Sequence, residues 1–225
     1  MSVVSETIDW LTDSAHWTGD DGAPHRLIEH TIYTAETIAI AGLIAIPIGL
    51  WIGHTGRFRS LAVGLTGAMR ALPTLGLLTA LALYLGIGLT APLVALVVLA
   101  VPPLLAGAYA GLESVDRQTI DAARAMGMTE WQILTKVEIP LALPIIVGGM
   151  RSAVLQVVAT ATVAAYVGLG GLGRYLIDGQ AVNDYAQMAG GSVLVIGLAL
   201  AFDALFAGLQ GLALGSRPKT HPSNA

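Results

Sequence analysis

No cysteine occurs in the 225 residues, which excludes disulfides, thiolate metal ligands and thiol chemistry. Charge is nearly as scarce. Asp, Glu, Lys and Arg make up 12% of the chain against 55% hydrophobic residues, and the mean hydropathy is +0.72. A molecule facing water on all sides needs more polar surface than that, so the chain is expected to reside in a lipid bilayer. Its length suits one domain of a handful of spans at about 20 apolar residues each. No GxxxxGK[ST] phosphate loop is present, so ATP binding and hydrolysis are not expected of this chain itself. His16, His25, His30, His54 and His221 show no metal-ligand spacing, and no nucleophile cluster or acid pair marks a catalytic residue. The first thirty residues lack a cationic start followed by an apolar core, so no cleavable signal peptide is evident.

Apolar runs do occur, at about 32–53, 72–89, 91–111, 142–168 and 188–214, and they are read as the five spans of an all-α, polytopic membrane protein. Residues 60–69 are apolar but make a helix only about 15 Å long, too short to cross. That segment is expected to lie at, or enter from, the cytoplasmic interface, with Pro73 bending its junction to the second span. Cation placement tests the count. Arg57, Arg59 and Arg70 follow the first span, Arg117, Arg124 and Lys136 the third, and Arg217 with Lys219 the fifth, so these eight of the eleven cations share one face if the spans are odd in number. The positive-inside rule makes that face cytoplasmic, giving an N-out, C-in topology with Arg26 and Arg174 outside. Residues 1–30 form an outer segment, 31–214 the transmembrane domain and 215–225 a cytoplasmic tail. Trp10 and Trp17 suit an outer helix at headgroup level, with a disordered tail as the alternative.

One polar insert interrupts this pattern between the third and fourth spans, DAARAMGMTEWQILTKVEIP at 121–140. Residues 116–126 carry helix formers, and Gly127 is placed to take the left-handed conformation that stops them. Thr129 with Gln132 forms a capping box that starts a second helix, and Pro140 is expected to end it. The exposed side is expected to present Met126, Met128, Trp131 and Ile133, an apolar set among charges that suits docking into another protein's groove.

This insert resembles the EAA loop of ABC importer permeases: an acid, two alanines, a glycine four residues on, then an aliphatic-x-aliphatic-proline ending. Asp121, Ala122, Ala123, Gly127, Val137, Ile139 and Pro140 occupy those places, with Asp where the pattern has Glu. RALPTLGLL at 70–78, GGMRSAV at 148–154, YVGLGGLG at 166–173 and the Asp203 segment extend the resemblance from about residue 30 to 213, towards permeases for glycine betaine, choline and carnitine. The resemblance implies a five-span type I importer core in a bacterial or archaeal plasma membrane. Its coupling loop spans about 112–141, with Asp121, Ala122, Ala123, Gly127, Met128, Trp131 and Pro140 engaging the ATPase. It also implies a second permease, identical or a paralogue, two ATPase subunits that hold ATP and Mg, an external substrate-binding protein, and no nucleic acid. Permeases for methionine and other small solutes share much of the framework. A secondary transporter driven by an ion gradient would normally show broken helices and midplane acids, of which only Asp203 is present.

The remaining features carry alternatives. GLGGLG at 168–173 formally satisfies a dinucleotide fingerprint but has no βαβ context. Gly168, Gly170, Gly171 and Gly173 are read instead as an external turn, either a gate element or a turn alone. Arg151 and Asp203 each lie some 15 Å from the cytoplasmic edge and are expected to pair. Gln156, Thr160 and Thr162, set among alanines, either line the translocation path or mark close helix packing. The aromatics assemble no cage for a methylated ammonium within the membrane.

Overall fold

The computed structural model describes residues 2–86 and 88–215. Among the described residues there are helices and turns but no strand: α1 (Val3–Thr12), α2 (Ala23–Thr55), α3 (Arg59–Arg70), α4 (Thr74–Leu85), α5 (Thr90–Glu113), α6 (Arg117–Ala125), α7 (Glu130–Ile133), α8 (Ile139–Ala164), α9 (Gly173–Val182) and α10 (Tyr185–Gly215). The all-α expectation holds. Among the described residues, four helical stretches are long and apolar enough to cross a bilayer, and α3 with α4 makes a fifth if that bent pair counts as one. The tail from 216 to 225, with Arg217 and Lys219, lies outside the described residues.

The second apolar run differs from the expectation of a span over 72–89. Its helix α4 stops at Leu85, where Gly86 leaves at φ 88°, and twelve residues rise only about 18 Å. Pro73 makes the corner as anticipated. It cannot donate the hydrogen bond that would continue α3, and α3 and α4 meet at 86°.

Backbone proximity organises the bundle. In the most apolar stretch of α5 56% of the residues are buried, against 6% for α10, so α5 is the central helix and α10 a peripheral one. Small residues make this possible. A Cβ on Gly107 would sit 2.7 Å from the Gly149 Cα, one on Gly49 2.5 Å from the Ala108 Cβ, and one on Gly53 2.8 Å from the Leu112 Cβ. Thus α8 and α2 press onto α5 at distances that only glycine permits. Lipid tails are as apolar as the helices, so close packing of this kind drives association in a membrane.

The long helices define two ends. At one end lie α1, the start of α2, the end of α8, α9 and the start of α10, tied by the Tyr175 hydroxyl donating to the Asp21 carbonyl at 2.6 Å. At the other lie the end of α2, α3, α6 and α7, where Arg59 pairs with Glu113 at 2.8 Å. Trp10 is not the headgroup anchor expected of it. Its indole is 7% exposed, packs against Gly190 of α10 and meets the Tyr175 ring edge-on at 5.1 Å. The first segment therefore docks as helix α1 with Ser2 as its cap, rather than trailing as a disordered tail; Trp17 is exposed.

Arg151 and Asp203 pair as expected, in a two-pronged bond: Nε donates to Oδ1 and Nη2 to Oδ2, both at 2.7 Å. The pair joins α8 to α10, whose contact is otherwise largely apolar.

Two outcomes test this packing by thermal unfolding in detergent. Gly149→Val is expected to lower stability by ~1–3 kcal/mol through overpacking, while Gly197→Ala, which meets nothing within 4 Å, leaves the midpoint in place. Asp203→Leu is expected to lower the midpoint further than the Arg151→Leu/Asp203→Leu double substitution, because the single change strands a cation. Equal midpoints for the single and the double would contradict the bracing role.

Candidate functional site

The polar insert folds as its sequence dictates. The Asp116 side chain accepts the Gln118 N–H at 3.0 Å and caps α6. Gly127 ends that helix at φ 82°, a left-handed conformation that costs glycine little. The anticipated capping box then opens α7: the Gln132 N–H reaches Thr129 Oγ1 at 3.4 Å and the Thr129 N–H reaches Gln132 Oε1 at 2.9 Å. Arg124 closes the turn by donating to both Glu130 oxygens, at 2.8 and 3.1 Å, and to Asp121 at 3.3 Å. Hydrogen bonding to Glu130 raises the Arg124 guanidinium above its ordinary pKa. The two short helices are thereby held as one unit.

Its surface divides sharply. Ala123 is buried with Ile120 and Ile133 against Leu112 and Ile146 of the neighbouring long helices. Asp121 and Ala122 stay exposed, Met126 is 76% exposed and Trp131 71%. Two expected members of the outward set point the other way. Ile133 is fully buried and Met128 is partly buried on the same cluster, because the glycine turn folds α7 back onto α6 and takes one face of each helix inward. Pro140 also departs from expectation. It does not end the second helix; it sits at the start of α8, and the chain runs helically from Glu130 to Val167.

The reason lies one turn earlier. Leu134–Glu138 is a wide π turn, in which the Ile139 N–H bonds the Leu134 carbonyl five residues back. A widened turn gives the Pro140 ring room where an α-helical carbonyl would clash. It also reorients Glu138. In an ideal helix residues five apart diverge by about 140°, whereas the wide turn brings Glu138 near the buried face of Ile133. Glu138 is 3% exposed and needs a partner there. His54, in the last turn of α2, supplies it: Nδ1 donates to Glu138 Oε2 at 2.5 Å, and Nε2 lies 3.4 Å from Glu130 Oε2. The residue pattern hid this joint. Its signal was an acid immediately before an aliphatic-proline pair, opposite a histidine that ends the first span.

At the opposite end, the glycine run turns as expected, with Gly168 at φ 96° and Gly171 at φ 79°. The residue pattern gave no sign of the helix beyond it. Gly173 opens that helix, α9, packed so that a Cβ would lie 2.5 Å from the Thr162 carbonyl. The Gly171 N–H donates to Glu29 Oε2 at 2.9 Å, and a Cβ on Gly170 would meet that carboxylate at 2.7 Å. Beside Glu29 in α2, the buried His30 donates from Nε2 to the Val158 carbonyl at 3.1 Å. An open cavity of about 510 Å³ adjoins this region, lined by Trp10, His16, Arg26, Arg174, Tyr175 and Asp178 among others. Burial pushes the Tyr175 phenol above its ordinary pKa.

Gln156, Thr160 and Thr162 of α8 do not converge on one site. Gln156 donates to the Leu99 carbonyl at 2.9 Å, fastening α8 to α5. Thr160 turns back to the Gln156 carbonyl at 2.6 Å. Thr162 bonds the Ala159 carbonyl at 2.6 Å and borders a cleft of about 360 Å³ with Leu75, Tyr166 and Met188.

Comparison with known proteins identifies the framework. The carnitine transport permease protein OpuCD of Listeria monocytogenes is 31% identical over 206 residues, covering 91% of this chain and 90% of its own. The choline transport system permease protein OpuBD of Bacillus subtilis is 28% identical, covering 93% and 91%. The osmoprotectant import permease protein OsmW of Salmonella typhimurium is 30% identical, covering 91% and 95%. Among solved structures, an inward-facing form of the MetNI methionine ABC transporter superposes with a TM-score of 0.74 at 24% identity, over 95% of this chain and 99% of that one. The family described as "Binding-protein-dependent transport system inner membrane component" matches residues 45–214, and with these relatives the chain belongs to it, as a membrane permease of the ABC importer type.

Proposed function

We propose that this permease imports an osmoprotectant of the carnitine, choline or glycine betaine type, drawing on ATP hydrolysis by a separate ATPase that docks on residues 121–140. The observation that carries the reading is the rigid α6–turn–α7 unit, which projects Met126 and Trp131 into solvent from a base buried on the spans. An exposed methionine and indole on a fixed helical frame suit a hydrophobic groove on a partner. The relatives' names support the solute class. In this reading the loop end is cytoplasmic, in agreement with Arg57, Arg59, Arg117, Arg124 and Lys136 collected there. The glycine turn faces outward towards a substrate-binding protein, and a second permease completes the pore. The two ATPase subunits bind ATP and Mg; this chain contributes transport and no catalytic residue. Closure of the ATPase pair moves α7 and the helices rooted beside it, and access alternates as a rigid-body transition.

The test is ATPase activity of the reconstituted complex with binding protein loaded with glycine betaine, and with methionine as the control solute. Gly127→Pro cannot adopt φ 82°, and Ala123→Asp drives a carboxylate into the cluster of Ile120 and Ile133. Each is expected to cut stimulation by loaded binding protein about tenfold or more, within the usual range of coupling energies. Variants that behave as wild type would remove the coupling role from the loop.

A further inference from the structure

The structure assigns to α2 the transmission of movement between the two ends of the bundle. This rests on the coupling role proposed above for residues 121–140 and extends it to the first long helix, which is distant from that loop in the chain.

Three observations carry it. First, α2 runs without interruption for 33 residues, through Pro47, from Ala23 to Thr55, about 50 Å as a helix. It is backed along its second half by the tight contacts of Gly49 and Gly53 with α5. Second, its last turn holds the coupling segment through His54, which contacts Glu138 at 2.5 Å and Glu130 at 3.4 Å, while Glu130 is held by Arg124 from α6. Four side chains thus link α6, α7 and the π turn to α2. Third, its first turns hold the glycine turn and the α8 helix before it: Glu29 accepts the Gly171 N–H at 2.9 Å and is steadied by Arg26 Nη1 at 2.9 Å, and His30 donates to the Val158 carbonyl of α8 at 3.1 Å.

Each end of α2 therefore grips, by directional polar bonds, a segment 84 to 142 residues away in the chain. Hydrogen bonds are directional and weaken steeply away from good geometry, so each end of α2 resists displacement of the segment that it holds. A displacement of the coupling segment consequently pulls α2 as well as the continuous helix from Glu130 to Val167, and α2 pulls the turn beyond α8. His54 and Glu29 are positioning residues in this account, acting through the loop and the turn rather than on the solute.

The experiment uses the reconstituted complex with loaded binding protein. His54→Ala and Glu29→Ala are each expected to retain ATPase association and basal hydrolysis, yet to lower binding-protein stimulation about fivefold or more. The double variant is expected to be no worse than either single, since a rod cut at one end transmits nothing further when cut at the other. His54→Asn and Glu29→Gln, which keep a donor and an acceptor, are expected to restore stimulation. Unchanged stimulation in the alanine variants, or losses that multiply in the double, would overturn the assignment. A second readout needs no variant. Amide exchange at Gly171 in the wild-type complex is expected to change when ATP is trapped in the ATPase, and equal protection in both states would also overturn it. If the wild type fails to retain or stimulate an ATPase, the importer reading itself falls; if it succeeds while both alanine variants match it, only the role of α2 does.

Discussion

Backbone-to-backbone contact through glycine is the constraint on which the bundle depends. Inside a bilayer the hydrophobic effect does not distinguish a neighbouring helix from lipid, so association relies on close approach and on a few polar bonds. Gly49 and Gly53 bring α2 onto α5, and the facing pair Gly107 and Gly149 brings α8 onto the same helix. With three long helices locked side by side, α10 can remain largely exposed on its outer faces, held by Arg151 and Asp203 and by the packing of Trp10 and Tyr175 at one end.

That apolar core makes each polar contact informative. A buried carboxylate such as Glu138 would be costly without His54, and a packed glycine turn would lack a fixed seat without Glu29. Both contacts fasten α2 to segments far from it in the chain. The unit at 121–140 is different in kind: its polar groups face water and form its own frame, through the Thr129 and Gln132 box and the Arg124 to Glu130 bonds. Met126 and Trp131 are left outward. Architecture and proposed function therefore meet at the π turn, where a water-facing helix becomes a membrane-spanning one without a break.

Much of this is legible in the residues because it comes from local rules. The long apolar runs, the corner at Pro73, the stop at Gly127, the capping box and the Arg151–Asp203 pair each depend on short-range geometry or on matching depth along a helix. The departures share another cause. Composition puts Ile133 outward, but the fold-back of α7 decides its side. Pro140 reads as a terminus until a widened turn upstream accommodates its ring. An indole near the chain start suits the headgroup level, whereas Gly190 leaves room for Trp10 inside the protein. The His54–Glu138 and Glu29–Gly171 contacts join residues far apart in the chain; an acid before an aliphatic-proline pair marks Glu138, but spacing alone names neither its partner nor that of Glu29.

In the proposed function, ATP hydrolysed by a partner ATPase drives a small osmoprotectant across the membrane by way of this chain. The most direct measurement is uptake of radiolabelled carnitine into proteoliposomes holding the complex, with loaded binding protein outside, ATP inside and an ionophore dissipating all ion gradients. Accumulation against the gradient that depends on ATP and persists with the ionophore is the outcome expected of an ATP-driven importer. Uptake that ignores ATP and collapses when the ion gradients are removed would contradict it.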